Sequence, residues 1–236
     1  MRAEDVRLDH ALAFLRDTLR GRRRVLEVGC GNGAVARALA EDFAVTALDL
    51  HLPDRTPADN LTYVEANFLD YTAQPFDAVV FTASLHHITP LSRALGRSSD
   101  LLAPSGLLVV DDFDLEAPDV ETLRWYYDTQ ELLRAAGAYD ADYVDAPQPD
   151  PVARWRAAHV HDPPLHTGAA MRLAICDRFV IRRLDKCAYL HRYISHHVRD
   201  DARGAALAAH VRATEERRIA ENVFVPVGLR IVAERL

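Results

Sequence analysis

Residues 25–33 read Val-Leu-Glu-Val-Gly-Cys-Gly-Asn-Gly, an apolar run carrying one acid and then a turn in which every second residue is glycine. Glycine at positions 29, 31 and 33 lets backbone pass very close to a ligand, because a Cβ there would occupy the ligand's space. A pyrophosphate-binding turn would read G-x-G-x-x-G, but position 34 is alanine, so the spacing G-x-G-x-G points away from a dinucleotide. The competing reading is a tight strand-to-helix turn that holds nothing. Asp49 closes the next apolar run, twenty residues beyond Gly29. That is the separation at which an acid meets ribose hydroxyls, and one carboxylate can accept from both. Taken alone, Asp49 reads as a solvated strand-end acid; beside the glycine turn it reads as a sugar-binding group.

Two further groups have chemical potential. In Ser84-Leu85-His86-His87 either histidine could serve as a base or orient a reactant, the alternative being local packing in a loop. Farther on, Trp125, Tyr126, Tyr127, Trp155, His159, His161 and His166 fall within 53 residues that include a Pro- and Asp-rich stretch, Asp145 to Pro151. His159-x-His161 with His166 raises a metal site, but no carboxylate or cysteine stands at helical spacing to complete it, so no metal is expected. His191, His196 and His197 read as part of a solvated helix face.

The elements that must position these residues alternate. After an amphipathic opening helix with Leu8, Leu12, Leu15 and Leu19 on one face, strand-like runs appear at Val25–Val28, Ala44–Asp49, Leu61–Glu65, Ala78–Thr82 and Leu107–Val110. Helical patterns such as Ala34–Glu41 and Leu91–Leu102 lie between them, which implies right-handed crossovers and a parallel sheet covered on both faces. Beyond Asp112 the alternation stops: a helix over Val120–Ala136, stopped at Gly137, is followed by the Pro- and Asp-rich stretch Asp145 to Pro151 and a Trp/His segment that ends at His166. It resumes with a helix near Thr167, a strand at Phe179–Leu184, helical chain over Tyr189–Asn222 and a last strand at Gly228–Ala233. The whole, 1–236, reads as one domain with an insertion at about 114–166 acting as a cap.

Hydrophobic residues make up 49% and charged residues 27%, the balance of a packed globular protein. A net charge of −7 without lysine runs disfavours nucleic acid, and the opening residues hold no apolar stretch suited to a signal or a membrane span. The expectation is a cytoplasmic monomer or homodimer with no nucleic-acid or membrane partner. Cys30, Cys176 and Cys187 are too few and too scattered for a disulfide framework and read as reduced core thiols.

Taken together, Glu27–Gly33 resembles the first motif of the class I S-adenosylmethionine-dependent methyltransferases, and Ala47-Leu48-Asp49-Leu50 resembles the second. Their third motif falls on Glu65-Ala66-Asn67-Phe68, with Asn67 in place of the commoner Asp. Phe76–Phe81 with Thr82–His87 looks like the fourth, and Leu101–Val110 like the helix-turn-strand after it. The resemblance implies an α/β, Rossmann-like doubly wound sheet of seven strands, mostly parallel with the last antiparallel, and S-adenosyl-L-methionine as cofactor. It implies that Glu27 holds the methionine end, that Gly29, Cys30, Gly31 and Gly33 form the cradle, and that Asp49 with Leu50 meets the ribose. It also implies that Asn67 and Phe68 flank the adenine, Thr82 borders the site, and His86 or His87 faces a small-molecule acceptor. An insertion after the fifth strand often serves this family as a substrate lid, here with Tyr126, Tyr127, Trp155 and His159. The Ser84–His87 loop lacks the Asn/Asp-Pro-Pro-Tyr/Phe-like sequence of the exocyclic-amine branch, which demotes DNA adenine and protein glutamine as acceptors. The alternatives are a regulatory protein of the same fold that binds the cofactor without turnover, a nicotinamide-dependent oxidoreductase, which the glycine spacing disfavours, and a macromolecular methyltransferase, which the acidic balance weakens.

Overall fold

The computed structural model describes residues 3–52, 58–139 and 150–236; residues 145–149 of the expected Pro- and Asp-rich stretch lie outside these. The chain falls into two compact units, one of Ala11–Phe113, His166–Asp185 and Leu229–Leu236, the other of Met1–His10, Asp114–Leu165 and Lys186–Gly228.

The first unit is built on a sheet of seven strands among the described residues: β1 (Arg24–Val28), β2 (Ala44–Asp49), β3 (Leu61–Glu65), β4 (Phe76–Thr82), β5 (Leu102–Phe113), β6 (Phe179–Cys187) and β7 (Gly228–Arg235), in the order β3-β2-β1-β4-β5-β7-β6. Pairing from β3 through β5 is parallel, and the sheet is mixed because the last strand runs the other way. Val79, Val80 and Phe81 are consecutive and all buried, which requires cover on both faces. α2 (Ala34–Leu39), α3 (Leu91–Leu101) and α6 (Gly168–Cys176) belong to this unit. Leu95 of α3 and Met171 and Ile175 of α6 join Leu26, Phe81 and Leu108 in the core.

Strand order reverses between β1 and β4, the switch point where open α/β sheets place ligands beyond the carboxyl ends of their strands. β5 starts earlier than the sequence pattern implies. Phe76 faces Leu102 but Ala78 faces Leu107, so residues 103–106 bulge out of the ladder, with Ser105 at φ 63°.

The opening helix α1 (Ala3–Thr18) buries Ala11, Phe14 and Leu15, with Leu19 just beyond it, while Leu8 and Leu12 are only half-buried; the leucine stripe is offset from the true apolar face. Cys30 is buried but Cys187 is half-buried and Cys176 exposed, so the expectation of three core thiols holds for Cys30 alone.

The second unit is helical: α4 (Val120–Ala135), α5 (Pro151–Ala158), α7 (Leu190–His196) and α8 (Ala202–Ala220). α4 is capped by Asp119 and stopped at Gly137, at φ 65°. α5 lies in the Trp/His segment, beyond the one helix expected between 114 and 166; its signal is Asp150, which accepts from Val152 N, followed by proline at the first helical position. The stretch over 189–222 breaks into α7 and α8 because Asp201 caps a new helix by accepting from Gly204 N at 2.8 Å. His191 is fully buried, contrary to the solvated face expected for it. Glu215 of α8 accepts the backbone N–H groups of Tyr189, Leu190 and His191 and the His191 ring, joining the two helices through one buried carboxylate.

Candidate functional site

A cavity of about 400 Å³ opens at the carboxyl ends of β1, β2, β3 and β4. Its walls are Val28 and Gly29 at the end of β1, Leu48–Leu50 at the end of β2, Ala66–Leu69 after β3 and Ala83, Ser84 and His87–Thr89 after β4. Parallel register explains the convergence, since Val28 pairs with Leu48 and Phe81, and Asp49 pairs with Glu65. The structure thereby gathers Gly29, Asp49, Leu50, Asn67, Phe68 and His87 around one space. Glu27, Cys30, Gly31, Gly33, Thr82 and His86 are outside its wall, although all belong to the same turns and strands.

The three glycines do different work. Gly29 has φ 71°, and a Cβ there would stand 2.6 Å from Ser84 Cβ, so its missing side chain accommodates Ser84, whose Oγ donates to Val28 O at 2.6 Å. Gly31 has φ 50° with no heavy atom within 4 Å of where its Cβ would stand, so the open face of the turn is there. Gly33, at φ 65°, caps α2. Gly29→Ala should therefore destabilise the fold by about 2 kcal/mol or more, from overpacking and positive φ together. Gly31→Ala should cost only about 1 kcal/mol, from conformation alone. Urea unfolding of the two variants checks the order, and equal losses would remove the distinction.

Asp49 Oδ2 accepts from Gly31 N at 2.7 Å and Oδ1 from His51 N at 3.3 Å, so the carboxylate ties the glycine turn to β2 while keeping lone pairs for a ligand. Leu50 beside it is 58% exposed, an apolar side chain on a cavity wall that a ligand would cover. Asn67 Oδ1 accepts from Leu69 N, which fixes the side chain and directs its donor capacity to its amide nitrogen. Phe68 is buried against Phe81, edge to face at 5.5 Å, and so belongs to the core as well as the wall.

The two adjacent histidines separate. His87 is exposed on the wall, whereas His86 is 5% exposed and packs against His87 with ring centroids 4.1 Å apart. His86 Nδ1 lies 2.7 Å from Asp112 Oδ1, and its backbone N donates to Asp112 Oδ2. Asp112, fully buried near the end of β5, also accepts from Phe113 N at 2.9 Å. The pairing leaves Nε2 as the His86 nitrogen that can exchange a proton. Asp112 was not among the residues singled out from the sequence. The available signal was two acids, Asp111 and Asp112, inside the apolar run 107–113; buried carboxylates demand partners. Asp111 finds Arg230 at 2.8 Å and Asp112 finds His86.

In the second unit, Tyr126, Tyr127, Trp155 and His159 do come together. Trp155 and His159 rings are 4.0 Å apart, Tyr126 meets Tyr127, Trp155 and Tyr193 edge to face, and Trp155 Nε1 donates to Leu115 O. Tyr193, which the sequence did not single out, completes the group, its hydroxyl 3.3 Å from His159 Nε2. His166 belongs to the first unit and His159 and His161 to the second, and among the described residues no three His, Cys, Asp or Glu side chains gather as a metal site.

A family model described as a methyltransferase domain matches residues 2–144. An uncharacterized methyltransferase of Mycobacterium tuberculosis is 36% identical over 102 residues, which are 39% of this chain and 52% of that protein. The chain thus spans about half the length of the curated relatives it matches. An S-adenosylmethionine-dependent methyltransferase from Mesorhizobium loti superposes with a TM-score of 0.58 at 18% identity, covering 99% of this chain and 100% of that one. The N-methyltransferase NodS from Bradyrhizobium japonicum, solved with S-adenosyl-L-homocysteine, superposes with a TM-score of 0.52 at 15% identity, covering 96% and 86%. At those identities the likeness is one of fold.

Proposed function

The chain belongs to the methyltransferase-domain family, and from that premise we propose that it transfers a methyl group from S-adenosylmethionine to a small organic acceptor. The observation that carries this reading is the meeting of Asp49, Leu50, Asn67 and His87 in one cavity beside a glycine turn whose outer face is open at Gly31. An adenosyl sulfonium would lie against that open face, into which a side chain at Gly31 would project. Asp49 would accept from the ribose hydroxyls, Asn67 would offer its amide N–H to the adenine edge, and Leu50 and Phe68 would cover the base. The Gly29–Gly33 turn with Glu27 would hold the methionine end.

When bound, the cofactor supplies a methyl already electrophilic on sulfur. What remains for the protein is to align the acceptor, exclude water and remove a proton. We assign the proton to His86 Nε2. The buried Asp112 carboxylate holds Nδ1–H, fixes the ring and offsets the charge that His86 gains on protonation. His87 would border the acceptor. A lid formed from residues 114–166, with Tyr126, Tyr127, Trp155 and His159 shielding an apolar acceptor, belongs to the same proposal and is supported by their aromatic character.

Turnover with methyl-labelled S-adenosylmethionine against a panel of phenols, amines and acidic C–H compounds tests the proposal. Label should pass to at least one class, with stoichiometric S-adenosylhomocysteine. Tight binding with no transfer to any acceptor would favour a regulatory cofactor-binding protein.

A further inference from the structure

The cavity wall after β4 is a short stretch with little regular structure. Residues 85–87 form a single 3-10 turn closed by His87 N to Ser84 O and Ile88 N to Leu85 O, both at 3.1 Å. Ile88 and Thr89, the last wall residues, lie beyond it. At its start the stretch is held by the His86 backbone N–H, which donates to Asp112 Oδ2. His166 holds it at two places, and its backbone N donates to His86 O at 2.9 Å. The His166 ring Nε2 lies 3.2 Å from Ile88 O and 3.0 Å from Thr89 Oγ1. A carbonyl oxygen only accepts, so Nε2 carries the proton, shared between the two oxygens.

His166 is itself well anchored. The next residue, Thr167, caps α6 by accepting from Ala170 N at 3.1 Å, and Met171 and Ile175 fix α6 in the sheet's core.

We propose that His166 is a positioning residue, which clamps Ile88 and Thr89 and so holds this part of the cavity wall in its binding shape. The inference rests on the cavity being the methyl-donor site. Burial pushes the His166 pKa below the ordinary histidine value, against the bond to Ile88 O, so the ring is neutral near pH 7. Nε2 donates in both protonation states, so the clamp holds across the titration and does not act as a base.

His166→Phe keeps a ring and removes the donor, while His166→Gln keeps a terminal N–H at similar reach. In His166→Phe the dissociation constant for S-adenosylhomocysteine should rise about five- to thirtyfold, the effect of losing one or two such bonds. The donor KM should rise by more than kcat falls, and His166→Gln should restore binding to within about threefold of wild type. Hydrogen exchange at the amides of residues 87–89 should quicken in His166→Phe and not in His166→Gln, a readout that needs no ligand. Wild-type affinity in His166→Phe, or equal loss in both variants, overturns the clamp. If the wild type binds no S-adenosylhomocysteine, the cavity reading fails, while the exchange comparison still judges the clamp. Should His166→Phe not fold, the wild-type imidazole ¹⁵N spectrum decides. An Nε2–H tautomer that responds to the ligand supports the proposal, and an Nδ1–H tautomer or an unresponsive ring contradicts it.

Discussion

Alanine at His86 should slow methyl transfer about a hundred- to a thousandfold, the usual share of a general base, while S-adenosylhomocysteine affinity stays within about threefold of wild type. The expectation follows from which histidine is oriented. His86 is held by a buried carboxylate at 2.7 Å, and His87, although on the cavity wall, is exposed. His87→Ala should therefore change the acceptor KM more than kcat. Asp112→Asn should reproduce part of the His86 defect, losing about tenfold or more, because the neutral amide neither offsets an imidazolium nor fixes the ring's tautomer. Asparagine is the better probe than alanine, because Asp112 also accepts from Phe113 N, and a truncated side chain would leave buried donors unpaired. Single-turnover rates with saturating donor separate chemistry from binding. A full rate in His86→Ala would transfer the base role away from His86, and an impaired His87→Ala would transfer it to His87.

The second large effect belongs to Asp49. Its removal should weaken S-adenosylhomocysteine binding by about 1–3 kcal/mol, the loss expected when a charged hydrogen-bond partner is deleted. Two causes add: the carboxylate would no longer meet the ribose, and Gly31 N would lose its 2.7 Å acceptor, loosening the turn that forms the cradle. Asp49→Asn separates them, since an amide oxygen can still accept from Gly31 N but only one oxygen remains for two hydroxyls. Calorimetry should rank affinity as wild type, then Asn, then Ala, and unchanged affinity in Asp49→Ala would remove this residue from the site.

Much of this was legible in the chain because local patterns encode it. A strand, an alternating-glycine turn and an acid twenty residues on specify the carboxyl edge of a parallel sheet, and the structure brings Gly29, Asp49, Asn67 and Phe68 to that edge. Spacing does not reveal what fills the room a glycine leaves. Gly29 and Gly31 look alike in sequence, yet the first makes way for Ser84, 55 residues on, and the second opens outward. Asp112 was hidden for the same reason: its partner His86 lies 26 residues away, and the pairing depends on β4 and β5 being neighbours. Within the second unit, helix-face patterning placed His191 in water, but Glu215 of α8 draws it into the interior. A buried polar pair is invisible to a scale that counts only apolar residues.

On the proposed function, the glycine turn and Asp49 form a seat for an adenosyl group. Isothermal titration of the purified chain with S-adenosylhomocysteine tests it without any knowledge of the acceptor. One saturable site per chain, weakened by Asp49→Ala and unaffected by an excess of NAD, is the result expected. A flat titration from folded protein, with no thermal shift on adding the ligand, would contradict it.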